Sequence, residues 1–194
     1  KLGLELAPDI EHDFTKGEYY AGLDFGKLQD HSALTIVKTE DNTTKTVYVH
    51  EFPLKTPYSQ VIGHLAKANQ KLHFTKILVD QTGVGEPVLE EIHSQGINCA
   101  EGVKFTAQTK ETLLTTLKML MEQQKIAIPY ERRLCQQINE QQYAYTKNGH
   151  LQFAHPQNSH DDMLWALALA AAAAKTQAPP RLWIIARMSK GKTK

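Results

Sequence analysis

Cysteine is scarce in this chain, with Cys99 and Cys135 the only two among 194 residues. Two thiols make no disulfide framework, which favours a reducing compartment. Long apolar runs are missing too. A membrane span needs about 20 consecutive apolar residues. The nearest approach, the Ala-rich stretch 166–174, is too short and follows two aspartates. No secretory signal pattern opens the chain and it does not begin with Met, so it reads as an excised domain or processed fragment. There is no internal repeat.

A decisive charge of one sign is also absent, since 22 Lys and Arg against 21 Asp and Glu leave +1. The balance hides an asymmetry. Five basic residues (Arg181, Arg187, Lys190, Lys192, Lys194) follow Gln177 with no acid among them. The body before them holds 17 basic against 21 acidic groups, a formal charge of −4. Bulk electrostatics therefore does not announce a nucleic-acid binder. A polyanion on the body would need local basic groups or metal ions.

What is present organises around Lys76–Asp80 and the loop behind it, KILVDQTGVGEP. The apolar run Ile77, Leu78, Val79 ends on Asp80, and a loop with Gly83 and Gly85 leads to Pro87. Glu86 and Pro87 are a helix-start signal. This is a buried strand delivering a carboxylate to its C-terminal edge, where open α/β sheets place their chemistry. An unpaired buried carboxylate is costly, so a cation is expected against Asp80.

The length suits one domain. Residues 1–18 are acidic, carry Pro8 and Gly17, and read as a linker or N-terminal extension. Strands over 19–25, 33–38 and 45–52, joined by short turns, predict an antiparallel meander. A 3.6-residue period predicts a helix over 57–72, and the strand ending at Asp80 follows. Next come a helix over 87–94 closed by Gly96, a strand within 97–105, a helix over 110–124 and an extended piece at 126–129. A polar, surface-lying helix is expected over 131–141. Segments 142–146 and 150–154 flank Lys147-Asn148-Gly149, a strong hairpin signal. The last helix is expected from Ser159 through Ala174, and Pro179-Pro180 ends ordered structure. Residues 177–194 form a basic tail, and 19–176 the domain proper. The fold class is α/β: a mixed sheet, a three-strand antiparallel meander plus parallel strands, flanked by helices.

Acids stand where strands end or a helix begins: Asp24, Asp80, and the pair Asp161 and Asp162. Two strand-end carboxylates plus one from a helix on the sheet edge make an oxygen-rich site that suits two Mg²⁺ or Mn²⁺ ions. Such ions support phosphodiester hydrolysis. Each acid also has a plainer role. Asp24 can terminate a strand, because Asp-x-Gly is common turn chemistry. Ser159 and Asp162 match a capping box, and acids in a first turn favour the helix dipole. Asp161 and Asp162 project about 100° apart around a helix, so only one need bind metal directly. The order strand-end, strand-end, helix-start on a β-β-β-α-β-α plan favours a site.

Gly22-Leu23-Asp24-Phe25-Gly26 with Asp30-His31-Ser32-Ala33 resembles the first motif of the nuclease domain of viral (tailed-phage type) terminase large subunits. Val79-Asp80-Gln81-Thr82-Gly83-Val84-Gly85 is similar to its second motif. His160-Asp161-Asp162 with Ala166-Leu167-Ala168-Leu169-Ala170 resembles the third. The resemblance spans residues 19–175. It implies an RNase H-like fold and a two-metal endonuclease that cuts concatemeric double-stranded viral DNA during genome packaging. It implies Asp24, Asp80 and one or both of Asp161 and Asp162 as catalytic metal ligands. Trp165 stands where family members often carry a further acid. The resemblance also implies an N-terminal packaging ATPase outside this chain, and the small terminase subunit and portal as partners. The expected location is the host cytoplasm or nucleus, with no membrane partner.

His160 and Thr82 are candidates to orient the metal ligands or to meet phosphate. Lys104, Lys110, Arg132, Arg133, Lys147 and His150 are candidate DNA contacts, although scattered basic residues are usually solvated surface. Tyr143, Tyr145 and Phe153 read as cross-strand pairs. In the tail, residues 186–193 loosely match a phosphate-binding loop, but that loop needs a strand before it and a helix after it. The paired glycine loops also suggest actin-like or sugar kinases, which need a second similar domain. Two rivals to the packaging nuclease remain: a Holliday-junction resolvase of the same fold, and a non-catalytic docking module.

Overall fold

The alternation along the first strand lays out the whole architecture. A computed structural model of the chain describes residues 17–26, 30–145, 151–154 and 160–176. In strand β1 (Glu18–Asp24), Tyr19, Ala21 and Leu23 face one core while Tyr20 faces another on the opposite side of the sheet. β1 pairs antiparallel with β2 (Ala33–Glu40), and β2 with β3 (Thr43–Glu51), the anticipated meander. Helix α1 (Tyr58–Leu72) then crosses over to β4 (Lys76–Asp80), which lies parallel to β1.

Helix α2 (Glu86–Ser94) leads to β5 (Ala100–Val103), parallel to β4, and helix α3 (Ala107–Glu122) leads to the two-residue β6 (Ile126–Ala127), parallel to β3. The sheet order is β5-β4-β1-β2-β3-β6. Helix α4 (Arg132–Glu140) precedes a separate antiparallel pair, β7 (Gln142–Tyr145) with β8 (Leu151–Ala154). Helix α5 (Asp162–Thr176) closes the described chain. This is the mixed sheet flanked by helices that the sequence predicts. The acidic residues 1–16, the Asn-Gly turn with Lys147 and His150, the Ser159 cap and the basic tail lie outside the described residues.

Helices α1 and α2 cover one face through Val61, Ile62, Leu65, Val88 and Ile92. Helices α3, α4 and α5 cover the other. α5 lies closest to the sheet, and its Ala166, Ala168, Ala170, Ala171 and Ala173 are fully buried. Gly22 is what permits the approach. A Cβ there would lie 2.1 Å from the Ala166 carbonyl oxygen and 2.4 Å from the Ala170 nitrogen. The backbone of α5 therefore rests directly on β1.

Two boundaries and one burial pattern differ from expectation. α3 begins at Ala107, three residues early, because Thr106 and Thr109 form a reciprocal capping box in which Thr replaces the usual Glu or Gln. α5 begins at Asp162, and the Asp161 carbonyl accepts from the Trp165 N–H at 3.0 Å. α4 is more than a surface helix. Leu134 and Gln137 are buried, and the Gln137 side-chain oxygen accepts from the Leu164 N–H in the first turn of α5.

Candidate functional site

Sheet register creates the first pair of acids. Parallel pairing sets Gly22 beside Leu78 and Leu23 beside Val79. One further step puts Asp24 beside Asp80, at the C-terminal ends of neighbouring strands about 4.8 Å apart. Side chains alternate, so Gly22 and Asp24 share the face that α5 covers, as do Leu78 and Asp80. The two carboxyl groups therefore face one another closely enough for Asp80 to help raise the Asp24 carboxyl.

Helix period supplies the remaining pair. Asp162, Ala166 and Ala170 lie on one stripe of α5 at four-residue spacing. Because Ala166 and Ala170 sit against Gly22, Asp162 is carried to Asp24 at the strand end. Asp24, Asp30, Asp80, Asp161 and Asp162 line one cleft of about 280 Å³, together with Phe105, Lys110 and Trp165.

Electrostatics records the crowding. Asp24 is 7% exposed, and its carboxyl is pushed well above the ordinary value, first by burial and then by Asp80, Asp162 and Asp161. Burial also raises Asp162, to about 6, with smaller increments from Asp30 and Asp161. Two neighbours work against that rise. The His31 N–H donates to Asp162 Oδ2 at 3.3 Å, and the His160 Nδ1 lies 3.9 Å from the same oxygen.

One oxygen of Asp80 is met by neutral donors. Asp80 Oδ1 accepts from the Thr82 N–H at 2.8 Å and from its hydroxyl at 2.6 Å. The Thr82 oxygen in turn accepts from the Phe105 N–H at 2.6 Å. No ion pair to Asp80 occurs among the described residues. Thr82 thus fixes one carboxylate oxygen and leaves the other to the cleft.

Of the predicted basic contacts, Lys110 alone lines this cleft among the described residues. Its Nζ lies 4.6 Å from the Trp165 ring centre and 5.3 Å from that of Phe105, whose rings are 5.0 Å apart. Cation–π attraction holds the ammonium at the rim. Lys104 is exposed and lies outside the cleft lining. Arg132 lines a separate groove with Tyr130 and Cys135, and Arg133 is ion-paired with Glu51. Lys147 and His150 fall outside the described residues.

His160 is brought to the site, with its ring 5.5 Å from that of His31 and its Nδ1 4.0 Å from Asp30 Oδ1. Sequence reasoning did not single out Asp30, His31 or Phe105 as site residues. Asp30 and His31 stand within the first motif, and their distance from Asp24 along the chain concealed their convergence.

All five acids offer hard oxygen donors, the class that Mg²⁺ and Mn²⁺ take. No three His, Cys, Asp or Glu side chains form a ready-made metal cage among the described residues. The donor chemistry fits a divalent ion, and the crowding of acids is what such an ion relieves.

A family model described as Terminase RNaseH-like domain matches residues 21–174. The terminase large subunit of Thermus virus P23-45 is 28% identical over 152 residues, which is 78% of this chain and 31% of that protein. The chain therefore spans about a third of that relative's length. Among solved structures, the large terminase nuclease from thermophilic phage G20c matches with a TM-score of 0.71 at 25% identity, covering 81% of this chain and 82% of that one. The same nuclease with bound magnesium gives a TM-score of 0.72 at 24% identity over the same shares, a likeness of fold.

Proposed function

Because this chain belongs to the terminase RNaseH-like domain family, we propose that it is a divalent-metal-dependent endonuclease that cuts double-stranded concatemeric viral DNA during genome packaging. One observation carries the reading. Carboxylates from β1, β4 and the start of α5 meet in one cleft, with Asp24 buried among them. Turn-formers and helix caps need no such crowding, which is costly without cations. The magnesium bound to the G20c nuclease supports a divalent ion here as well.

Asp24 and Asp80 would hold the metal, and Asp161 or Asp162 would complete the set. Two bound ions would supply an activated water and stabilise the leaving oxygen. The chain's own residues do the positioning. Thr82 holds the Asp80 carboxylate in one rotation. The His31 N–H and His160 hold Asp162. Lys110, propped on Trp165 and Phe105, meets a phosphate oxygen of the cut strand. Apart from Lys110 the cleft walls offer little cation, so affinity for DNA is weak and salt-sensitive. Nothing in the cleft reads base edges, so cutting shows little sequence preference. We place this work inside the host cell, where virions assemble, beside a packaging ATPase domain and with the small subunit and portal as partners.

Supercoiled plasmid incubated with Mn²⁺ tests the proposal. Nicking is expected, and Asp80→Asn, folded by circular dichroism, should lower it about a thousandfold or more. Wild-type protein that leaves plasmid intact at every metal concentration would overturn the reading and favour a docking module. Faster cutting of four-way junctions than of linear duplex would favour a resolvase.

A further inference from the structure

A second groove continues from the acid cleft. Gly26, Asp30, Ser32, Pro53, Lys55 and Tyr58 line it, and it encloses about 460 Å³. Gly26 and Asp30 belong to both lining sets, so the two spaces join at those residues. The far wall is the turn between β3 and α1, Pro53-Leu54-Lys55-Thr56-Pro57. Prolines fix both ends, and the Thr56 N–H and hydroxyl both donate to the Pro53 carbonyl, at 3.2 and 2.6 Å.

Within this braced turn Lys55 has φ +64°, a left-handed conformation that side chains other than glycine rarely adopt. Lys55 is exposed and carries no ion pair among the described residues. Tyr58, the first residue of α1, packs edge-on against Phe25 with ring centres 5.1 Å apart. Phe25 directly follows Asp24, so the groove wall is packed onto the residue beside the buried carboxylate.

We propose that this groove seats the DNA backbone flanking the scissile phosphate, with Lys55 meeting a phosphate beyond the acid cleft. The inference rests on the nuclease reading and gives the cut strand a path. It runs from Lys110 at one rim, across the acids, past Asp30 and Gly26, to Lys55. Pro53 and Tyr58 supply apolar surface against which sugars lie, and Lys55 supplies the charge. A strained lysine held rigid and unpaired is suited to a fixed anion, because its backbone position is set before binding.

Anisotropy of a short fluorescent duplex in Ca²⁺ and plasmid nicking in Mn²⁺ test this together, using wild type, Lys55→Glu and Lys55→Gly. Glycine suits the left-handed backbone and removes the side chain together with its cation. Lys55→Glu should raise Kd and KM about tenfold and Lys55→Gly roughly threefold, with kcat kept and the salt slope reduced by about one. Unchanged Kd and KM in both variants would overturn the groove. Nicking that ignores Lys55 leaves the nuclease standing and the groove refuted. Binding that depends on Lys55 without any nicking supports the groove and refutes the nuclease. Neither binding nor nicking by wild type refutes both.

Discussion

Replacing Asp162 by Asn should stabilise the metal-free protein while lowering its cutting rate. Burial raises the Asp162 carboxyl from 3.8 to about 6. The folded state therefore holds this proton more tightly than the unfolded chain does. Between those two values the folded state binds more protons, so stability falls as pH rises through the window and levels off above it. A shift of about two units corresponds to about 3 kcal/mol at neutral pH, at 1.36 kcal/mol per unit. With 11% of its side chain exposed, Asp162 is shielded enough for most of that cost to be real. Asn keeps an oxygen for the His31 N–H but forfeits an acid in the first turn of α5, worth up to about 1 kcal/mol. The net gain is about 2 kcal/mol, or roughly 4–8 °C in Tm for a domain of this size. Thermal melts in EDTA across pH 4 to 8 measure it. The gain should appear at pH 7.5 and shrink toward pH 4, where the folded-state Asp162 is protonated and the unfolded chain's carboxyl is only partly ionised. Added Mn²⁺ should raise the wild-type Tm more than that of the variant. Equal Tm in EDTA at pH 7.5, or a gain independent of pH, would refute the electrostatic argument.

Gly22→Ala should cost about 3 kcal/mol by urea unfolding, because its methyl meets the backbone of α5 and not a yielding side chain. Nicking should fall with it, since Asp162 rides on the displaced helix. Thr82→Val removes the hydroxyl that donates to Asp80 and accepts from the Phe105 N–H, leaving the Thr82 N–H bond in place. The Mn²⁺ concentration for half-maximal nicking should rise about ten- to hundredfold. Stability should drop by only about 1 kcal/mol.

What could be read from the residues was governed by the range of the interaction involved. Strand ends at Asp24 and Asp80 follow from local alternation and apolar runs. The meander follows from its turns, where Asp41 and Asn42 adopt positive φ. That Asp24 and Asp80 are neighbours depends on β1 pairing with β4, a partnership of residues more than fifty apart that neither strand spells out. Lys110 could not be told from Lys104 or Arg132 in the sequence, because the rings that hold it come from the β5–α3 connection and from α5. α4 looked superficial because its polar composition outweighed the two positions, Leu134 and Gln137, that it presents inward. The early start of α3 was hidden by a threonine doing the work usually given to Glu or Gln.

The acids also differ in how firmly they are held, and the difference follows from the element that carries each. Asp24 ends a central strand hydrogen-bonded on both sides, to β2 and β4. Its backbone has the least freedom, and its carboxyl bears the strongest upward push. Asp80 ends a strand flanked by β1 and β5, and Thr82 sets its rotation. Asp162 begins a helix whose first turn is tied by Gln137 and whose position depends on the small residues that rest on Gly22. A helix can slide along a glycine-alanine contact more readily than a strand can change register, because sliding breaks packing while register change breaks a ladder of hydrogen bonds. Among the elements that carry the acids, a shift of α5 therefore costs less than a change in the sheet.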